Sequence, residues 1–374
     1  MSNGPSFVEE LRRAWDDGDA VLPLDVRLGL PARHRVLEVT RPALLIEEDL
    51  RPQPLAGSRP IEDGDSLVMA TSGTTGEPKG VVLTHGAVTA SAVATSERLG
   101  VDPESDAWWA CLPLSHVGGL SVVTRAIVGG VRYEVGGFSP EAAALAIARG
   151  ATLTSLVPTA LGRLEPEVAA AFRSIVLGGQ APPAGLPANV TTTYGLTETG
   201  SGVVYDGIPL AGVGVRIVAG EIHLRGPMLL RAYRNERDPK DGDGWLPTGD
   251  AGAISADGRL AVLGRLHEMI ITGGENVWPA AVESVLTRHA AVAEAAVAGL
   301  PDPEWGERVV AYVVVVGQPE LPRLLAELRE LVSGELAPFA APRQLVVVDA
   351  LPRTGIGKVR REALLLLGGR SALA

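Results

Sequence analysis

The run Leu67-Val68-Met69-Ala70-Thr71-Ser72-Gly73-Thr74-Thr75-Gly76-Glu77-Pro78-Lys79-Gly80-Val81-Val82-Leu83 sets the reading of this chain. Two apolar, strand-like stretches flank ten residues rich in hydroxyls and glycine, with a single lysine. Backbone N–H groups freed by glycine, hydroxyl donors and a compact cation are what a polyphosphate needs. The run therefore reads as a nucleotide phosphate grip between two ordered elements. It is not the common P-loop, which needs Ser or Thr straight after the lysine. Gly80 stands there instead, so a residue elsewhere must hold the metal. A flexible surface loop is the competing reading of this segment taken alone.

The bulk numbers set outer limits. A length of 374 residues implies two domains. An apolar fraction of 46% supports a packed core. The net charge of -11 argues against a nucleic-acid surface, so a phosphate ligand must be met by local positive charge. Cys111 is the sole cysteine, which excludes a disulfide scaffold and a cysteine-ligated metal cluster. The start Met1-Ser2-Asn3-Gly4-Pro5 lacks a basic region leading into an apolar run, and no unbroken apolar segment approaches a membrane span. The expectation is a cytoplasmic protein with no membrane span.

Periodicity organises the rest. The pattern predicts helices over 7–15 and 87–98, and buried strands over 107–112, 153–157 and 174–177. Ser139-Pro140 is a helix start and Gly150 its stop. Alternating strands and helices predict an α/β layered body with its ligand site outside the carboxyl ends of the strands. After Asn189 the texture becomes hairpin-rich, with breaks at Ala219-Gly220 and Asp257-Gly258. A boundary falls at Arg265-Leu266-His267-Glu268. Beyond it the pattern predicts helices over 279–288 and 322–332, strands near 291–299, 308–316 and 345–348, and a leucine run at 364–367 packing the final helix. The fold class is thus α/β: a large N-terminal domain over 1–265 with a β-rich subdomain, and a small α+β C-terminal domain over 266–374.

Four later segments bear on the chemistry. In Thr193-Tyr194-Gly195-Leu196-Thr197-Glu198-Thr199 a carboxylate flanked by hydroxyls suits magnesium, which prefers oxygen ligands plus substrate phosphates. In Leu246-Pro247-Thr248-Gly249-Asp250 a carboxylate at a turn can accept both hydroxyls of a ribose. Gly264-Arg265 precedes Ile271-Thr272-Gly273-Gly274-Glu275-Asn276-Val277, and Thr354-Gly355-Ile356-Gly357-Lys358 closes the set.

With the first loop, these motifs resemble the adenylate-forming superfamily of acyl-CoA synthetases, adenylation domains and luciferases. The resemblance runs from about residue 62 to 365, and its motifs occur in the right order. It implies a mobile C-terminal domain and a reaction in two halves: a carboxylate attacks ATP to give an acyl-adenylate and pyrophosphate, then the thiol of coenzyme A displaces AMP. By this resemblance Thr71 to Gly76 and Lys79 cover the β- and γ-phosphates. Gly178 and Gly179 lie at the adenine and carboxylate end, and Tyr194 stacks on adenine. Thr197 touches the α-phosphate, Glu198 holds Mg2+, and Asp250 binds the ribose with help from Arg265. Lys358 serves adenylation, Gly273 and Gly274 line the coenzyme A tunnel, and His116 lies against the acyl pocket. At the hinge the family carries Asp or Lys where this chain has His267, followed by Glu268.

About seventy residues precede the phosphate loop, fewer than is usual in the superfamily. That short front end, Leu112-Pro113-Leu114-Ser115-His116-Val117-Gly118-Gly119-Leu120 and Ser155-Leu156-Val157-Pro158-Thr159 resemble the short actinobacterial o-succinylbenzoate–CoA ligase branch of menaquinone biosynthesis. Such an acid has a spectator carboxylate that needs a cation or donors, because burying it unpaired is costly. His116, Arg125 and Thr159 are the candidates. His116 is equally readable as a packed core histidine. His34, His223 and His289 show no metal-ligand spacing, and Trp108 and Trp109 read as core. Other aryl- or acyl-CoA ligases, a carrier-loading adenylation domain and a nucleotide-binding relative without catalysis stay open, as does a homodimer.

Overall fold

The computed structural model describes residues 4–47, 49–72, 78–183, 185–234, 238–353, 359–367 and 370–373. The chain divides into two compact units. The first holds Met1–Arg216, His223–Pro247 and Ser255–Leu260; the second holds Ile217–Ile222, Thr248–Ile254 and Ala261–Ala374.

The first unit opens with α1 (Pro5–Asp16) and α2 (Leu30–Thr40), followed by a small antiparallel pair, β1 (Leu44–Ile46) and β2 (Pro52–Pro54). Strands β3 (Asp65–Ser72) and β4 (Pro78–Thr84) form the antiparallel hairpin that carries the phosphate-loop motif. Helix α3 (His85–Leu99) starts where Thr84 accepts the Ala87 N–H. Then follow β5 (Ala107–Ala110), α4 (Val117–Gly129), β6 (Arg132–Val135), α5 (Pro140–Ala148), β7 (Leu153–Leu156), α6 (Pro158–Leu161), α7 (Pro166–Ala171), β8 (Ser174–Leu177) and β9 (Val190–Leu196). Helix α5 begins on the Ser139 cap, as its sequence predicts. Strands β10 (Ser201–Tyr205) and β11 (Ile208–Pro209) complete a seven-stranded sheet of order β11-β10-β9-β8-β7-β5-β6.

The central pairs of that sheet, β6 with β5, β5 with β7, β7 with β8 and β8 with β9, are parallel. Strands β5, β7 and β8 are buried along their whole length, as strands covered on both faces must be. Trp108 and Trp109 are core, and Trp109 stacks on Phe172 with centroids 6.1 Å apart. One expectation is adjusted. The change of texture after Asn189 does not leave the main sheet: β9 pairs parallel with β8, and the hairpin region begins only later.

That region contains β12 (Gly214–Val218), β13 (Glu221–Arg225), β14 (Ala232–Tyr233), β15 (Leu246–Ile254) and β16 (Leu260–Arg265). Strand β14 pairs with β4, and the other four form a sheet of order β12-β13-β15-β16. Beyond a short 3-10 turn at Leu266–Glu268 come β17 (Ile270–Thr272), β18 (Glu275–Val277), α8 (Pro279–Leu286), β19 (Val292–Asp302), β20 (Gly306–Val315), α9 (Leu321–Glu335), β21 (Gln344–Val347), α10 (Arg361–Leu364) and β22 (Arg370–Leu373).

The sheet of the second unit alternates as a two-sided strand pattern should. Val309, Ala311 and Val313 of β20 join Leu324, Leu325, Leu328 and Val332 of α9 in one core cluster. Val310 and Tyr312 turn to the other face with Val346, Val348 and Leu364. The leucine run is corrected: Leu364 is buried and Leu367 packs against that cluster, whereas Leu365 and Leu366 are exposed. The helix ends at Leu364, so the next two side chains leave its packed stripe. No described helix is long and apolar enough to cross a membrane.

Candidate active site

Parallel strands end at a common edge, and this one gathers the segments picked from sequence. After β5 the chain runs through Leu112–Ser115 to His116, which caps α4. After β7, Val157 leads into α6, where Thr159 is exposed. Gly178 and Gly179 follow β8. Tyr194 and Gly195 lie near the end of β9, and Thr197 and Glu198 form the 3-10 turn beyond it.

The phosphate hairpin contributes a second group. Thr71 of β3 pairs in register with Lys79 of β4, and Ser72 ends its strand. Gly73, Thr74, Thr75 and Gly76 lie outside the described residues. Strand β14 sets Tyr233 opposite Val81 of β4. The Lys79 ammonium stands 4.9 Å from the centre of the Tyr233 ring. The Tyr233 hydroxyl donates to Glu198 Oε1 at 2.9 Å. The Leu230 N–H reaches the Glu198 carbonyl at 2.7 Å. The lysine and the carboxylate picked separately from sequence are therefore joined through one tyrosine. Sequence reading missed Tyr233, because nothing in Arg231-Ala232-Tyr233-Arg234 marks it and only long-range strand pairing brings it here. Among the described residues no group of three or more His, Cys, Asp or Glu forms a metal cage. One carboxylate beside hydroxyls suits magnesium, which keeps substrate phosphates and water as its other ligands.

His116 is not a packed core histidine; its side chain is 33% exposed. Its Nε2 lies 3.3 Å from Asp25 Oδ2. Arg27 grips the same carboxylate in a fork, Nε to Oδ1 at 2.9 Å and Nη2 to Oδ2 at 2.7 Å. Those bonds from Arg27 outweigh burial and hold the Asp25 carboxyl down at about 2. Arg125, on α4, is buried. Its guanidinium meets the Ser155 hydroxyl at 3.4 Å, Ser201 Oγ, the Tyr205 hydroxyl at 3.5 Å, and the face of Trp108. Its Nε has no hydrogen-bond partner, and the partners described for its guanidinium are hydroxyls and an indole, with no carboxylate among them. Cys111 is buried, and burial pushes its thiol up to about 12, so it is no nucleophile.

In the second unit Asp250 is buried and pairs with Arg265, Oδ1 to Nε at 3.0 Å. Arg265 also donates to the Thr248 carbonyl at 3.3 Å. The expected turn at Asp250 is corrected: the residue lies inside β15. Gly249 at φ 71° kinks the strand there, and its N–H donates to Glu221 Oε1 at 2.7 Å. A β-branched residue could not take that conformation, so the Thr-Gly-Asp run looks like a turn while remaining a strand. Gly273 and Gly274, at φ 60° and 84°, make the tight turn between β17 and β18. That turn accounts for both glycines without a ligand. His267 is exposed on its 3-10 turn. Its neighbour Glu268 accepts from Arg361 at 2.8 Å, and Arg361 also pairs with Glu283 of α8. Lys358 lies outside the described residues.

Comparison with known proteins agrees with this layout. The AMP-binding enzyme domain is matched over residues 47–234, and the AMP-binding enzyme C-terminal domain over 281–358. A Mycobacterium tuberculosis protein named "Probable 2-succinylbenzoate–CoA ligase" is 43% identical over 362 residues, covering 90% of this chain and 94% of the relative. The Enterococcus faecalis 2-succinylbenzoate–CoA ligase is 33% identical over 380 residues, covering 89% and 77%. The Bacillus subtilis o-succinylbenzoate CoA synthetase, solved with the acyl-adenylate intermediate OSB-AMP, superposes with a TM-score of 0.74 at 31% identity, covering 96% of this chain and 80% of that one. The chain belongs to the AMP-binding enzyme family.

Proposed function

We propose that this chain is an ATP-dependent 2-succinylbenzoate–CoA ligase, forming 2-succinylbenzoyl-CoA, AMP and pyrophosphate in the cytoplasm during menaquinone biosynthesis. The reaction class rests on the family and on relatives that carry this activity in their names. The observation that carries the substrate is Arg125. A guanidinium buried among hydroxyls and an indole, with no described carboxylate against it, is an uncompensated interior charge. An acid with a second carboxylate repairs that deficit, whereas benzoate or a fatty acid leaves it.

The chemistry follows from the edge of the sheet. Lys79 takes the terminal phosphates, and the Tyr233 ring beneath its ammonium limits where that charge sits. Glu198 would hold magnesium, which supplies Lewis-acid neutralisation of phosphate charge. Its hydrogen bond from Tyr233 fixes one carboxylate oxygen and leaves the other for the metal. Thr197, on the same turn, donates to the α-phosphate. Tyr194 stacks on the adenine against Gly178 and Gly179. Asp250, oriented by Arg265, accepts from the ribose hydroxyls. Lys358 supplies a cation for adenylation and withdraws for thioester formation as residues 266–374 turn about His267. Gly273 and Gly274 then border the path of the thiol. His116, Arg125 and Thr159 face the acid.

The test is pyrophosphate release from ATP and magnesium with 2-succinylbenzoate, measured with and without coenzyme A. A single-turnover burst without coenzyme A and continuous turnover with it are expected. Adenylate formation without turnover on free coenzyme A would instead mark a carrier-loading domain, and no release at all a nucleotide-binding relative.

A further inference from the structure

Lys79, Lys240 and Lys358 are the only lysines among the chain's 33 lysine and arginine residues. Wherever else the chain carries a permanent cation, it uses arginine. Two of the three lysines belong to the reaction proposed above. The third, Lys240, lies in no motif, yet its side chain is only 18% exposed. Its ammonium donates to the Leu230 carbonyl at 2.7 Å and the Arg231 carbonyl at 3.1 Å, and meets Asp238 Oδ1 at 2.7 Å. Three acceptors thus meet three donors on one nitrogen. Successive carbonyls turn to one point only where the chain bends, and Leu230 and Arg231 lie at such a bend just before β14. An ammonium is a compact point charge with three rotatable donors, whereas a guanidinium spreads its donors over a plane and does not match this convergence.

What the bend holds is the junction of the phosphate edge. The Leu230 N–H reaches the Glu198 carbonyl at 2.7 Å, the Arg231 N–H the Val82 carbonyl at 2.9 Å, and the Arg234 N–H the Gly80 carbonyl at 2.6 Å. Between these ties Tyr233 donates its hydroxyl to Glu198 and offers its ring to the Lys79 ammonium. We infer that Lys240 is a positioning residue for nucleotide binding: by gathering the Leu230 and Arg231 carbonyls it fixes the entry of β14, and with it the spacing between the phosphate lysine and the metal carboxylate. Its three donors are taken, so it works through β14 and not by contact with the nucleotide. This inference rests on the proposed roles of Lys79 and Glu198.

The test is steady-state pyrophosphate release by Lys240→Met, Lys240→Arg and Glu198→Gln, titrated separately with ATP, magnesium and the acid. Lys240→Met is expected to raise KM for ATP and the magnesium needed about tenfold, with KM for the acid unmoved. Lys240→Arg keeps the charge but not the point geometry, and is expected to raise KM for ATP about threefold. A general loosening of the fold would move all three titrations together, and that result would overturn the inference. In a Tyr233→Phe background Lys240→Met is expected to cost less than in the parent, because the bond it aligns is gone. Full additivity there would overturn the inference as well. Should Lys240→Met not fold, Lys240→Arg carries the comparison, and parent-like kinetics in that variant would contradict the role. A magnesium response in Glu198→Gln without one in the Lys240 variants sinks this inference alone. No response in Glu198→Gln sinks the metal reading, and this inference with it.

Discussion

Tyr233 donates to Glu198 from 35 positions away and carries the Lys79 ammonium over its ring. Of these three residues, sequence marks the lysine and the glutamate, each within a run whose neighbours supply the chemistry. The tyrosine is silent because its place depends on β14 pairing with β4, a non-local event. The same holds for Asp25, which no motif flags and which meets His116 only through the fold. A prediction follows at this scale. If Glu198 holds magnesium as proposed, Glu198→Gln is expected to cut pyrophosphate release about a hundredfold and raise the magnesium needed. Tyr233→Phe keeps the ring beneath Lys79 and loses the bond to the carboxylate, so roughly a tenfold loss is expected. Titrating pyrophosphate release against magnesium for parent and both variants checks this. A magnesium dependence shared by all three would remove Glu198 from the metal.

The parallel strands were legible because β5, β7 and β8 are short apolar runs bounded by glycine, proline and caps. Their order in the sheet was not, since it is fixed by pairings no local pattern encodes. Asp106 is one such determinant. It precedes β5 and accepts from Arg173, which precedes β8, at 2.9 and 2.6 Å, and from Thr152, which precedes β7, at 2.7 Å. One carboxylate so ties the amino ends of three parallel strands, opposite the edge that carries the site. Burial pushes its carboxyl up, but the bonds from Arg173, the Asp102 N–H and Thr152 more than offset that and hold it below its ordinary value. A carboxyl depressed by folding stabilises above its unfolded pKa and loses that contribution as pH falls through the folded value. Asp106→Asn is therefore expected to lower unfolding stability by about 1–3 kcal/mol at pH 7, with the gap to the parent closing below about pH 4. Urea unfolding of both proteins across pH 2.5 to 7 measures it. A gap that persists undiminished at low pH would show that shape, not charge, is what Asp106 contributes.

Across the molecule, the family's two domains match 47–234 and 281–358, while the chain's compact units trade short segments between residues 217 and 260. Sequence texture separates the α/β body from the C-terminal module but does not reveal that exchange, because β12, β13, β15 and β16 read as simple hairpins. The C-terminal unit has its own two-faced core and a half-buried clamp, Arg361 between Glu268 and Glu283. The 3-10 turn that contains His267 is thereby anchored to α8 and α10.

The proposed choice of acid rests on Arg125. The most direct measurement is kcat/KM for 2-succinylbenzoate, benzoate and octanoate under saturating ATP and coenzyme A, in the parent and in Arg125→Ala. The account predicts a preference for 2-succinylbenzoate of about thirtyfold or more in the parent, the discrimination a buried charged contact gives when its loss leaves a partner unsatisfied. It predicts that Arg125→Ala collapses this preference while leaving KM for ATP in place. Benzoate or octanoate matching 2-succinylbenzoate in the parent would contradict it.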